Sequence, residues 1–207
     1  MILLEQVSKE IKGKQILSNI THAFDDGTCT LLRGHNGCGK TMMLRTLCGL
    51  IKPTHGKITF SRDYYYGVII ENVSFFLYET AEYNLRYLAN IRKQIGDDDI
   101  NRWLKKFNLY DVRKKKVRTF SLGMKQRLAL CQAFMESPDI ILLDEPLNAL
   151  DGENSEITCA VVRQATQDGK IVVVAAHGEI PGDLCVDVTL QMENGQIVSC
   201  EDKLRSQ

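Results

Sequence analysis

Residues 34–41 read Gly34, His35, Asn36, Gly37, Cys38, Gly39, Lys40 and Thr41, the spacing G-x-x-x-x-G-K-[ST], and no other stretch restricts the fold of this chain so tightly. An apolar run at residues 29–32 precedes it, and Met42, Met43, Leu44, Leu47 and Leu50 follow, so the pattern sits where a strand passes through a tight loop into a helix. Glycines let the backbone turn sharply and bring N–H groups against phosphate oxygens, while the helix start aims its positive dipole end at the same charge. In that geometry Lys40 reaches the β and γ phosphates of a nucleotide and the Thr41 hydroxyl ligates Mg²⁺, with Met42 counted in the cradle.

The 207 residues are enough for one substantial domain with a proper apolar core. Twenty-six acidic and 26 basic residues cancel, so no overall field argues for a nucleic-acid partner. The basic cluster Arg113, Lys114, Lys115, Lys116 and Arg118 reads as a solvated helix end. No apolar stretch approaches the ~18 residues of a membrane span, the longest being residues 171–176, and the chain opens without a signal-peptide pattern. Any membrane role is therefore expected to come through a partner. The seven cysteines form no C-x-x-C pair and no zinc-ligand spacing, so they are expected to be reduced, in a cytosolic protein. Cys38, between two glycines, is expected to serve as a small side chain rather than a redox centre.

Strands are expected at residues 2–7, 16–24, 57–60 and 66–70. Thr80 caps a helix running to residue 93, Asp97, Asp98 and Asp99 open another carrying Ile100, Trp103, Leu104 and Phe107, and a third starts near Ser121. Strands at 139–144 and 170–176 flank a helix over 153–168, and their near-continuous apolar content points to a parallel sheet covered on both faces. A final hairpin, 188–192 with 196–199, turns at Asn194-Gly195. There are no internal repeats and no low-complexity linker.

Ile140, Ile141, Leu142, Leu143, Asp144, Glu145 and Pro146 make a buried strand that ends in two carboxylates, at the end of an open α/β sheet where ligands bind. Asp144 is expected to hold Mg²⁺ through its water shell and Glu145 to orient and polarise a water attacking the γ-phosphoryl group.

The stretch Phe120, Ser121, Leu122, Gly123, Met124, Lys125, Gln126, Arg127 resembles the signature of ATP-binding cassette ATPases, usually L-S-G-G-Q followed by a basic stretch. Ser121 and Gly123 match, whereas Phe120, Leu122 and Met124 depart. A serine hydroxyl and glycine N–H groups at a helix start can grip a phosphate. The resemblance implies that this phosphate belongs to a nucleotide held by a second ATPase subunit, in a head-to-tail dimer with two ATP molecules between the chains. Asn148, Ala149, Leu150 and Asp151 resemble the family's D-loop, and His177 stands where the family has its switch histidine beside the γ-phosphate.

Two departures stand out. The family's glutamine after residues 67–70 is replaced by Glu71, a carboxylate that can ligate Mg²⁺ or water but adds negative charge beside phosphates. With residues 121–127 and 80–85, it resembles the bacitracin-resistance and lantibiotic-immunity branch of exporters. At the family's adenine-stacking aromatic stands Ile11, which predicts weaker adenine discrimination unless a tyrosine at 64–66 substitutes.

The resemblance thus implies an α/β fold: a P-loop NTPase (RecA-like) core with a mostly parallel sheet, an N-terminal antiparallel β region and an inserted α-helical subdomain. Residues 1–71 and 137–207 are expected to form the catalytic core and residues 72–136 the subdomain with the signature. The expected function is ATP hydrolysis (Glu145, His177 and Lys40 catalytic; cofactors ATP and Mg²⁺) driving export of an antimicrobial peptide or another small amphipathic compound. Transmembrane permease subunits would hold the chain on the cytoplasmic face of the membrane. The alternatives are a soluble cassette ATPase of the DNA-repair or translation type, which usually carries two cassettes or a coiled-coil insertion lacking here, and an ATP-binding regulatory subunit.

Overall fold

The described residues of the computed structural model are 1–71, 73–178, 180 and 184–203. In chain order they form β1 (Ile2–Ile11), β2 (Lys14–Phe24), β3 (Cys29–Arg33), α1 (Lys40–Leu47), β4 (His55–Phe60), β5 (Tyr66–Ile69), α2 (Ala81–Arg92), α3 (Asp97–Lys106), α4 (Leu122–Phe134), β6 (Ile140–Asp144), α5 (Gly152–Gln167), β7 (Ile171–Ala176), β8 (Val188–Glu193) and β9 (Gln196–Asp202). β1 pairs antiparallel with β2 on one edge and β4 on the other. The second sheet runs β5-β6-β7-β3-β8-β9, parallel throughout except for the β8–β9 hairpin.

The apolar runs are explained by burial on both faces. Alternate residues of a strand point to opposite sides, so Ile141, Leu143, Val172 and Val174 meet α4 and α5. Ile140, Leu142, Ile171 and Val173 meet Met43, Leu44 and Leu47 of α1 and the inner face of the antiparallel sheet. The sheet is thereby clamped, and the C-terminal ends of β3, β6 and β7 lie side by side, Leu143 opposite Val174 and Leu32 opposite Ala175. On the α4 side, Gly67 lets β5 approach very closely: a Cβ there would lie 1.9 Å from the Ala133 carbonyl oxygen.

The fold class agrees with the sequence reading: a mostly parallel sheet, an antiparallel N-terminal sheet and helices between. Strand ends differ where pairing decides them. β1 runs to Ile11 instead of residue 7, because its polar end still pairs with β2 across irregularities near Gln6, whose φ is 50°. β2 and β4 start two residues early for the same reason, and β9 runs on to Asp202. The capping expectations hold: Thr80 accepts from the Tyr83 N–H at 3.1 Å, and Asn194 and Gly195 turn with φ of 47° and 79°. All seven cysteines are free thiols. Among the described residues no helix is long and apolar enough to cross a membrane.

Candidate active site

β3 delivers the chain into the phosphate loop and α1 leaves it. Gly37 and Gly39 take φ of 83° and 112°, left-handed backbone that favours glycine. Cys38 is 1% exposed, and a Cβ on Gly34 would meet its sulfur at 2.6 Å. Its carbonyl accepts from the Gly195 N–H at 2.9 Å, so position 38 packs the loop onto the β8–β9 turn, as expected of a small side chain. Lys40 is 6% exposed, and its ammonium donates to the carbonyls of Gly34 (2.7 Å) and His35 (3.2 Å), which holds the cation over the loop. An open cleft of about 410 Å³ above it is lined by Gly34, His35 and Asn36 on one side and His177 and Gln191 on the other.

The acidic strand end meets this loop from below. Thr41 Oγ1 donates to Asp144 Oδ2 at 2.8 Å across 103 residues of sequence. Burial pushes the Asp144 carboxyl above its ordinary value and the neighbouring Glu145 charge adds to the rise. The Thr41 hydroxyl, the Glu71 backbone N–H and the Lys40 charge oppose it. A hydroxyl and a carboxylate are hard oxygen donors, and Mg²⁺ usually takes only one or two protein groups beside waters and substrate phosphates. Among the described residues no cluster of three His, Cys, Asp or Glu exists that could cage a metal alone. The Thr41–Asp144 pair therefore fits Mg²⁺ shared with a nucleotide.

Glu145 turns out of β6 with φ of 50°, its N–H fastened to the Ala175 carbonyl of β7 at 2.9 Å. That turn brings Glu145 Oε1 to 2.5 Å from His177 Nδ1, at the end of β7. Two residues far apart in sequence thus meet because their strands are neighbours, and His177 carries the pair to the rim of the cleft.

The other expected residues lie elsewhere. Ser121 caps α4 and accepts from the Met124 N–H at 3.2 Å. Gly123 lies against the loop after β6: a Cβ there would sit 2.6 Å from the Ala149 carbonyl oxygen. Asp151 caps α5, accepting from the Asn154 N–H (2.9 Å) and side-chain amide (2.7 Å), and these bonds hold its carboxyl below the ordinary range. Glu71 brings its backbone to Asp144, but its carboxylate turns to Arg45 of α1 at 2.8 Å. Ile11 stands at the tip of the β1–β2 hairpin, and β2 runs past the loop at Gly39, where a Cβ would meet the Ile16 carbonyl at 3.2 Å. The tyrosines do not replace it. Tyr64 bonds the Met1 amine, Tyr65 bonds Glu136, and Tyr66 opens β5 opposite Ile140, at the far end of the parallel strands from the acids. Two participants escaped the sequence reading. Arg45 lies four residues after Thr41 on α1, a spacing that was legible. Gln126 donates to the Pro146 carbonyl at 3.0 Å, joining α4 to the acidic turn, and no local pattern announces it.

A phosphate loop facing an acidic strand end in a mostly parallel sheet defines a nucleoside-triphosphatase of the phosphate-loop class. The family described as ABC transporter matches residues 17–148. The uncharacterized ABC transporter ATP-binding protein YybJ of Bacillus subtilis is 37% identical over 97% of this chain and 96% of its own length. The bacitracin transport ATP-binding protein BcrA of Enterococcus faecalis is 29% identical over 96% of this chain and 68% of its own. Among solved structures, the dimeric structure of MJ0796, a bacterial ABC transporter cassette, superposes with a TM-score of 0.88 at 26% identity, covering 98% of this chain and 99% of that one. The chain belongs to the ABC transporter family as an ATP-binding subunit, and it is an ATPase.

Proposed function

We propose that this chain energises a membrane exporter: two copies close head to tail over two ATP molecules, and hydrolysis drives permease subunits that expel an antimicrobial peptide or another small amphipathic compound. The observation that carries the proposal is that the phosphate loop, the Thr41–Asp144 pair and the Glu145–His177 pair gather at the C-terminal ends of β3, β6 and β7, with His177 lining the cleft over the loop. Lys40 exchanges its loop carbonyls for the β and γ phosphates. Thr41 and Asp144 would hold Mg²⁺, which when bound would neutralise phosphate charge. Glu145 takes the proton of the attacking water as the water oxygen bonds to the γ phosphorus and the bond to the β-phosphate oxygen breaks, and His177 keeps the carboxylate aimed.

Ser121 and Gly123 serve the nucleotide of the other copy; what supports this is that Ser121 and Leu122 are exposed at the start of α4, as well as the likeness to a dimeric cassette. Residues 72–136 act as a helical subdomain that meets the permease. Support comes from an exposed aromatic patch there, with Phe76, Tyr83 and Tyr87 in mutual ring contact beside exposed Leu77, Tyr78 and Ile91. Contiguous apolar surface of this kind marks interaction sites. The cargo class rests on the likeness to BcrA and on Glu71.

Glu145→Gln should trap an ATP-bound dimer on size exclusion while phosphate release falls ~10²- to 10⁴-fold. Wild-type turnover in that variant refutes the role of Glu145. ATP binding without turnover in the unaltered protein favours a regulatory subunit. Deleting the gene should sensitise cells to amphipathic peptide antibiotics, and unchanged sensitivity removes the cargo class alone.

A further inference from the structure

We propose that Arg45 is a positioning residue of the ATPase site: it is the counter-cation that lets a carboxylate occupy position 71, and without it Glu71 repels the terminal phosphate of the nucleotide. The inference rests on the proposed role of the Thr41–Asp144 pair in nucleotide binding.

Thr41 and Arg45 are four residues apart on α1, so they lie on one face of the helix, one turn from each other. Thr41 reaches the Asp144 carboxylate at the end of β6, and Arg45 reaches the Glu71 carboxylate just beyond the end of β5 at 2.8 Å. Those two strand ends come together, with the Glu71 backbone N–H near enough to Asp144 to oppose the rise of its carboxyl. One turn of helix thus holds two neighbouring strand ends, and the four groups form a closed ring: Thr41 to Asp144, Asp144 to the Glu71 backbone, the Glu71 side chain to Arg45, and Arg45 back to Thr41 along α1.

The ring solves an electrostatic problem set by the sequence. Asp144 and Glu145 already supply two carboxylates, and a nucleotide brings several more negative charges to the same strand ends. A third carboxylate at position 71, uncompensated, disfavours both. Arg45 is one-third exposed and Glu71 more than half, so the pair is not buried for stability. Exposed ion pairs contribute little to folding. The placement of the pair beside the phosphate-binding groups gives it a different use. Glu71 also takes φ of 56°, unusual for a glutamate, so the residue is held in a turn that commits its backbone to Asp144 while its side chain turns to α1.

The test is a double-mutant cycle read by calorimetric binding of ATP, as a non-hydrolysable analogue, and of ADP, both with Mg²⁺, on the full chain. Arg45→Met should weaken ATP binding about tenfold in the wild-type background and by less than about twofold when residue 71 carries Glu71→Gln. The loss should be greater for ATP than for ADP, because the γ-phosphate adds the charge that Glu71 repels. Arg45→Lys should keep most of the affinity. Thermal unfolding without nucleotide should be nearly the same for all four proteins of the cycle. An Arg45→Met loss that is equal in both backgrounds, or equal for ATP and ADP, overturns the proposal. If the unaltered protein fails to bind ATP, the underlying reading of the site fails instead.

Discussion

The phosphate-loop corner and the start of α4 both belong to the catalytic apparatus proposed here, yet they are built in opposite ways. At the loop corner every key side chain is engaged within the chain, Lys40 by carbonyls of its own loop, Thr41 and Glu145 by groups from distant elements, Asp144 and His177. At α4, Ser121 bonds only its own helix and stays exposed, followed by Leu122 at 68% exposure. One region is finished within the chain and the other presents a surface. A site assembled from both needs a second chain to bring an α4 start over a loop.

The sharpest way to break the comparison is Lys40→Ala, which should weaken ATP binding by ~1.5–3 kcal/mol, measured by calorimetry, because a charge-assisted contact is lost. Full affinity in that variant would mean that the finished corner is not the nucleotide site. Gly67→Ala forces apart β5 and the Ala133 carbonyl of α4 and should cost about 1–3 kcal/mol in denaturant unfolding. An unchanged midpoint would mean that α4 is not anchored to the sheet there. Ile11→Tyr should tighten ATP by ~1–3 kcal/mol and widen the preference for ATP over GTP, since no tyrosine of residues 64–66 reaches the hairpin tip; unaltered affinity would remove the stacking position. Ser121→Ala should be the mildest for the isolated chain, about 1 kcal/mol in stability through the lost cap. It should spare ATP binding by a monomer while abolishing ATP-driven dimerisation in the Glu145→Gln background. Loss of monomer binding would erase the distinction between the two regions.

Much of the catalytic corner was legible because its parts are local. The phosphate loop is one contiguous octapeptide whose glycines are needed for φ of 83° and 112°, and the acidic pair ends an apolar run that only a doubly covered strand tolerates. Caps at Thr80 and near Ser121, and the Asn194-Gly195 turn, were legible for the same reason: each is a bond between residues three or four apart. Strand ends at Ile11 and Asp202 were not, because they depend on a partner strand. The direction taken by Glu71 was also hidden. Its identity says carboxylate, but only the packing of α1 against β6 and β7 puts Arg45 within 2.8 Å of it.

By itself the sequence determined which chemical groups exist and which short segments carry them: a glycine-rich loop with Lys40 and Thr41, carboxylates at a strand end, a serine and a glycine at a helix start. Tertiary structure alone decided which of these meet. Parallel pairing of β6 with β7 joins Glu145 to His177, and α1 lying over the sheet joins Thr41 to Asp144 and Arg45 to Glu71. The physical reason is range: turn geometry and burial are written in neighbouring residues, whereas hydrogen bonds spanning 32 or 103 positions follow only from strand order and helix packing.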